Sequence, residues 1–244
     1  MKSAFFVLYI LTALGMGGLF LASCRVPEPD VLAWNEGKID DPGAIVYFEE
    51  GQDIILSSYL DPELQEKVLD FFEELTGSRT VASVILANAA VIGIPPALAF
   101  ALCAEESSYN PQAFNRNRNS TVDRGLFQLN SASFPQLKTT DFYDLGKNAW
   151  HGLSHLRWCL NTGGTEVAAL AMYNAGAGRV RSSGTPKSTL DYVSRILKRQ
   201  RRIEERFMAE YARIAEERST EVELANEKEK APLRLSLLIP LGRR

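Results

Sequence analysis

Two adjacent glutamates, Glu105 and Glu106, close an uncharged stretch from Ala97 to Ala104, and a third acid, Asp123, follows beyond a polar loop. A carboxylate at the C-terminal end of a helix sits in the negative field of the backbone carbonyls, and apolar surroundings add to the cost of ionising it. Both effects raise its pKa, so such a group can hold a proton near neutral pH and hand it to a leaving group. Consecutive helical residues point about 100° apart. Only one of the pair can therefore face a cleft, and the other is a solvated helix end. Asp123 stands among turn residues, where Asp usually caps the backbone; a direct role beside the proton donor is the alternative. His151 and His155 lie one helical turn apart, but no Glu follows His151 and the three Cys lack Cys-x-x-Cys spacing. The residue pattern therefore predicts no metal and no cofactor.

The elements that must position these acids read as helices. Asp61-Pro62 predicts an N-cap and first helical residue for a helix through Leu64, Val68, Leu69, Phe72 and Leu75, stopped by Gly77. Ser78 or Thr80 opens a second, with Val81, Val84, Ile85 and Ala89 at helical spacing, ended by Gly93-Ile94-Pro95-Pro96. Pro96 to Glu106 is apolar almost all round, the mark of a buried helix. Further helices are predicted over Leu145–Leu160, Glu166–Met172 and Thr189–Met208, with Asn110–Asn119 as a polar loop. Strand signals are confined to Ala44–Phe48 and Asp123–Leu129. The expected class is α+β, mainly α, with a small β-hairpin or loop region and an added C-terminal helix.

Four motifs then occur in order: Glu106-Ser107 with Asn110-Pro111, Gly125-Leu126-Phe127-Gln128, Ala171-Met172-Tyr173-Asn174-Ala175-Gly176, and Thr189-x-x-Tyr192-Val193. Together they resemble the lytic transglycosylases of the soluble-lytic-transglycosylase type, in the lysozyme-like superfamily. Asp144, Asn148, Gly152 and Leu156 resemble that family's connecting helix, so the likeness runs roughly from Ser78 to Leu197. The first two motifs, with the Asn115-Arg116-Asn117 loop and Asp123, are equally similar to animal-type lysozymes. The sequence departs from the family at Ser188, where Glu is common, and at Phe127, where Met is usual.

The resemblance implies a lysozyme-like fold that cuts the β-1,4 bond between N-acetylmuramic acid and N-acetylglucosamine in peptidoglycan. Glu106 would be the general acid and then the base, deprotonating the muramic acid 6-hydroxyl to leave a 1,6-anhydro end. Asp123 would be the second catalytic carboxylate. Ser107, Gln128, Tyr173, Asn174 and Tyr192 would line the substrate cleft, with the Tyr192 hydroxyl hydrogen-bonded to Glu106. A hydrolytic muramidase of the same fold and a non-catalytic cell-wall-binding scaffold for an envelope complex are the competing readings.

Lys2 followed by the apolar run Ala4–Phe20 and small residues predicts an export signal over residues 1–23, with an uncleaved membrane anchor as the alternative. Leu21-Ala22-Ser23-Cys24 resembles the lipobox of bacterial lipoproteins, which implies acylation at Cys24 and an envelope protein anchored to the membrane and facing the periplasm. Residues 24–60 read as a tether, 61–200 as the lysozyme-like domain, and 201–244 as a charged amphipathic helix and tail. Export leaves Cys103 and Cys159 as an even pair, forming a disulfide or remaining two buried thiols. With 27 basic against 30 acidic residues and a net charge of -3, the chain lacks the footprint of a nucleic-acid binder. The stripe Ile203, Phe207, Tyr211, Ile214, Ala215 predicts a helix that packs on the domain or meets an envelope partner.

Overall fold

A computed structural model describes residues 53–230, with side chains through residue 220. The export signal, Cys24, the strand expected at Ala44–Phe48, most of the tether, and Ala231–Arg244 lie outside the described residues. The chain divides into two compact units between Arg201 and Arg202. The first unit is mainly helical with one small antiparallel sheet, a lysozyme-like α+β arrangement.

Ile54–Leu60, at the end of the expected tether, is a helix (α1) capped by Asp53, which accepts from Leu56 N at 2.9 Å. Asp61 closes α1 and does not open the next helix. Its N–H donates to Ser57 O, and its side chain accepts from Glu63 N at 2.9 Å, so residues 61–64 turn before α2 begins at Gln65. The helix α2 (Gln65–Thr76) ends in a left-handed Gly77, and α3 (Arg79–Ile92) starts at the Ser78 cap and ends in a left-handed Gly93. Pro96 then opens α4 (Pro96–Ser107), where every residue from Pro96 to Ala104 is buried. The stretch Pro96–Ala104, uncharged and apolar all round, has no face to give to water, and burying each large side chain contributes roughly 1.5–3 kcal/mol. Phe100 of α4 stacks on Phe72 of α2 with ring centroids 4.0 Å apart.

Beyond α4 the chain forms β1 (Phe114–Arg116), β2 (Val122–Arg124) and β3 (Leu129–Asn130), ordered β1-β2-β3. The expected single strand over Asp123–Leu129 is thus broken by a turn at residues 125–128, and the expected polar loop contributes β1. All three β1 residues are exposed, so no apolar alternation marks the strand in the sequence. A short 3₁₀ turn, Asp141–Tyr143, leads into α5 (Leu145–Gly163), capped by Asp144. Then come α6 (Glu166–Ala175), capped by Thr165, and α7 (Ala177–Ser183). The central helix α5 packs against α3 and α6. The last helix, α8 (Lys187–Lys230), begins in the first unit. In the second unit it carries surface ion pairs, Arg213 bonding Glu210 and Glu217.

Candidate active site

Glu105 and Glu106 occupy the last turn of α4, and α8 treats them differently. Tyr192 donates its hydroxyl to Glu106 Oε1, whereas Arg195, one turn further along α8, reaches Glu105 Oε1 from Nε at 2.7 Å and from Nη2 at 2.6 Å. One acid thus meets a neutral donor and its neighbour a cation. Burial, reinforced by the negative charges of Asp123 and Glu105, pushes the Glu106 pKa up to about 7, against the opposing pull of the Tyr192 hydrogen bond. Tyr192 and Tyr173, both held well above the ordinary phenol range chiefly by burial, remain hydroxyl donors.

Asp123 lies in the middle of β2, in register with Asn115 on one side and Asn130 on the other. Asn115 and Asn117 donate amide hydrogens to Oδ2 at 3.3 and 2.8 Å, and Asn130 donates to Oδ1 at 2.6 Å. Both carboxylate oxygens are therefore oriented by side-chain amides. This is not the backbone cap that an Asp in a turn would ordinarily make.

Just after Asp123 comes the turn Gly125–Gln128, held from two helices. Asn148 of α5 accepts from Phe127 N at 2.8 Å and donates to Arg124 O and Phe142 O at 3.0 and 2.8 Å. Tyr173 of α6 donates to Phe127 O at 2.9 Å. Side chains thus hold both polar backbone groups of Phe127. Gly125, at φ +77, would place a Cβ 2.2 Å from Phe142 O, and Gly152 would place one 2.4 Å from the Phe127 Cβ. Gln128 adopts φ +45 and bonds back to Gly125 O at 3.0 Å, while Ser108 and Tyr109, just past Glu106, also have positive φ. Left-handed backbone at non-glycine residues costs energy and tends to gather at functional sites.

The other expected site residues are placed as follows. Asn174 accepts from Thr189 Oγ1 at 2.8 Å, tying α6 to α8. Ser107 turns back to donate to Cys103 O at 3.2 Å. Cys103 and Cys159 are free thiols, which corrects the disulfide alternative. Cys103 faces Leu126 O and Ser107, whereas Cys159 packs among Ala169 and Met172 with its sulfur 3.9 Å from His155 Nε2. Burial raises both thiols, that of Cys159 to about 12, so neither is a ready nucleophile. No cluster of three or more metal-ligating side chains occurs among the described residues.

Sequence reasoning misses Arg195, and it reads Asn115 and Asn117 as a motif loop without making them, or Asn130, partners of Asp123. An Arg one turn after Tyr192, answering the Glu pair, is the signal that could have found the first. Asn115, Asn117 and Asn130 on either side of an Asp carried the second.

Residues 83–193 match the family model described as the transglycosylase SLT domain. The matched span contains Glu106, Asp123, Gln128, Tyr173, Asn174 and Tyr192, and it ends two residues before Arg195. No curated protein matches the chain.

Proposed function

We propose that this lysozyme-like domain of the lytic-transglycosylase type cuts the β-1,4 bond from N-acetylmuramic acid to N-acetylglucosamine in peptidoglycan, leaving a 1,6-anhydro end. Glu106 gives its proton to the glycosidic oxygen as the C1–O bond breaks. The resulting carboxylate takes the proton of the muramic acid 6-hydroxyl, whose oxygen closes on C1; water is not consumed. The observation that carries this reading is a half-buried glutamate whose pKa near 7 makes both protonation states accessible. The Tyr192 hydroxyl orients the carboxyl and supports its charged form between the two proton transfers. Asp123, fixed by its amides, offers negative charge to the oxocarbenium-like transition state. The enzyme acts from an exported, membrane-anchored lipoprotein, a reading supported by Lys2, the run Ala4–Phe20 and Leu21-Ala22-Ser23-Cys24.

Digestion of purified sacculi with product identification by mass spectrometry tests the chemistry. Anhydro-muropeptides are expected, and Glu106→Gln should lower turnover by about 10²- to 10⁴-fold. Reducing-end products would instead make the protein a hydrolytic muramidase, and full activity in Glu106→Gln would remove Glu106 from its role.

A further inference from the structure

A row of aromatic rings lies outside the proton-transfer machinery yet joins it at one end. Tyr173, whose hydroxyl holds Phe127 O, has its ring centroid 5.0 Å from that of His155. His155 stacks on Trp158 at 5.7 Å with planes 11° apart, and Phe134 meets its edge at 6.1 Å. Trp158 is 40% exposed, among the large hydrophobic side chains left open to solvent. His155 and Phe134 are half-buried. Trp158 therefore leaves a large part of its surface open to solvent, and its ring is stacked on a neighbour before any ligand arrives.

Such a surface suits a sugar. A pyranose presents a face of C–H bonds that packs on an aromatic plane, while its rim of hydroxyl and acetamido groups stays solvated. Burial depresses the His155 pKa, so the imidazole offers a neutral ring and not a cation. Its Nε2 lies against the Cys159 sulfur, which helps to fix the ring.

We propose that Trp158, His155 and Phe134 form a sugar-binding subsite that carries an N-acetylhexosamine unit of the glycan strand away from the bond being cut. The inference rests on the peptidoglycan reading above, and continuity through Tyr173 is what selects a glycan as the occupant. A pre-stacked ring loses little freedom on binding, so the gain falls on affinity and not on the chemical step.

Titration calorimetry of the N-acetylglucosamine tetramer into the full chain carrying Glu106→Gln tests the subsite. Adding Trp158→Ala should weaken binding by about five- to tenfold, and Trp158→Phe should hold it within about twofold. With Glu106 intact, Trp158→Ala should raise KM on solubilised glycan strands while kcat stays near its parent value. Equal affinity in Trp158→Ala, with the parent still binding and cutting, would overturn the subsite and leave the function reading standing. A parent protein that neither binds the tetramer nor cuts sacculi would overturn both. Self-association lost in Trp158→Ala, with glycan affinity unchanged, would make the row an interface between copies and overturn the proposal.

Discussion

Covalent neighbours rarely differ in electrostatic environment as Glu105 and Glu106 do, one against a guanidinium and the other against a phenol. Helix geometry turns the two side chains apart, and the one-turn spacing of Tyr192 and Arg195 answers that divergence. Because the Tyr192 hydroxyl donates to the ionised carboxyl, removing it takes away support for the charged form. Tyr192→Phe should move the alkaline limb of kcat/KM upward by about one pH unit from its position near 7 and lower the maximum rate. The pH–rate profile reads both effects. Stability follows the same proton. Glu106 titrates at about 7 in the fold and near 4.5 unfolded, so the native state binds more protons between those values and stability falls as pH rises through that window. Glu106→Gln should therefore be more stable than the parent at pH 8, by about 3 kcal/mol, with the advantage disappearing below pH 4.5. Calorimetry across pH reads the difference.

The helices show why much of the scaffold could be read in advance. In α2 through α6 and in α8, apolar spacing, Ser78 as a cap, and Gly77 and Gly93 as stops act locally along the chain. The sheet was harder to anticipate, because β1 is exposed throughout and exists through pairing with β2, a non-local event. The Glu106–Tyr192 contact was legible only through family resemblance, since nothing local in either helix announces the other. The spaced set Asp144, Asn148, Gly152 and Leu156 gains a physical account: cap, clamp, gap for Phe127, and core. Asn148→Ala should cost about 3 kcal/mol, because it leaves the Phe127 N–H and two carbonyls without their buried partner. Gly152→Ala should cost about 1–3 kcal/mol by driving a methyl into Phe127. Urea unfolding measures both.

At the scale of the whole molecule, 27 basic residues nearly balance 30 acidic ones, and Cys103 and Cys159 are buried as free thiols. Attachment is a separate matter, argued from the N-terminal sequence alone. Cells fed radioactive fatty acid should label the parent protein in the membrane fraction, whereas Cys24→Ser should lose the label and the attachment. The catalytic proposal also draws on widely separated parts of the chain, since the Glu106 and Tyr192 partners lie 86 residues apart in sequence. Ribosomes deliver the glutamate long before its phenol. Any fragment that stops short of Tyr192 holds an acid with no tyrosine to aim it, so a wall-cutting blade of this design stays blunt until nearly the entire domain has been made.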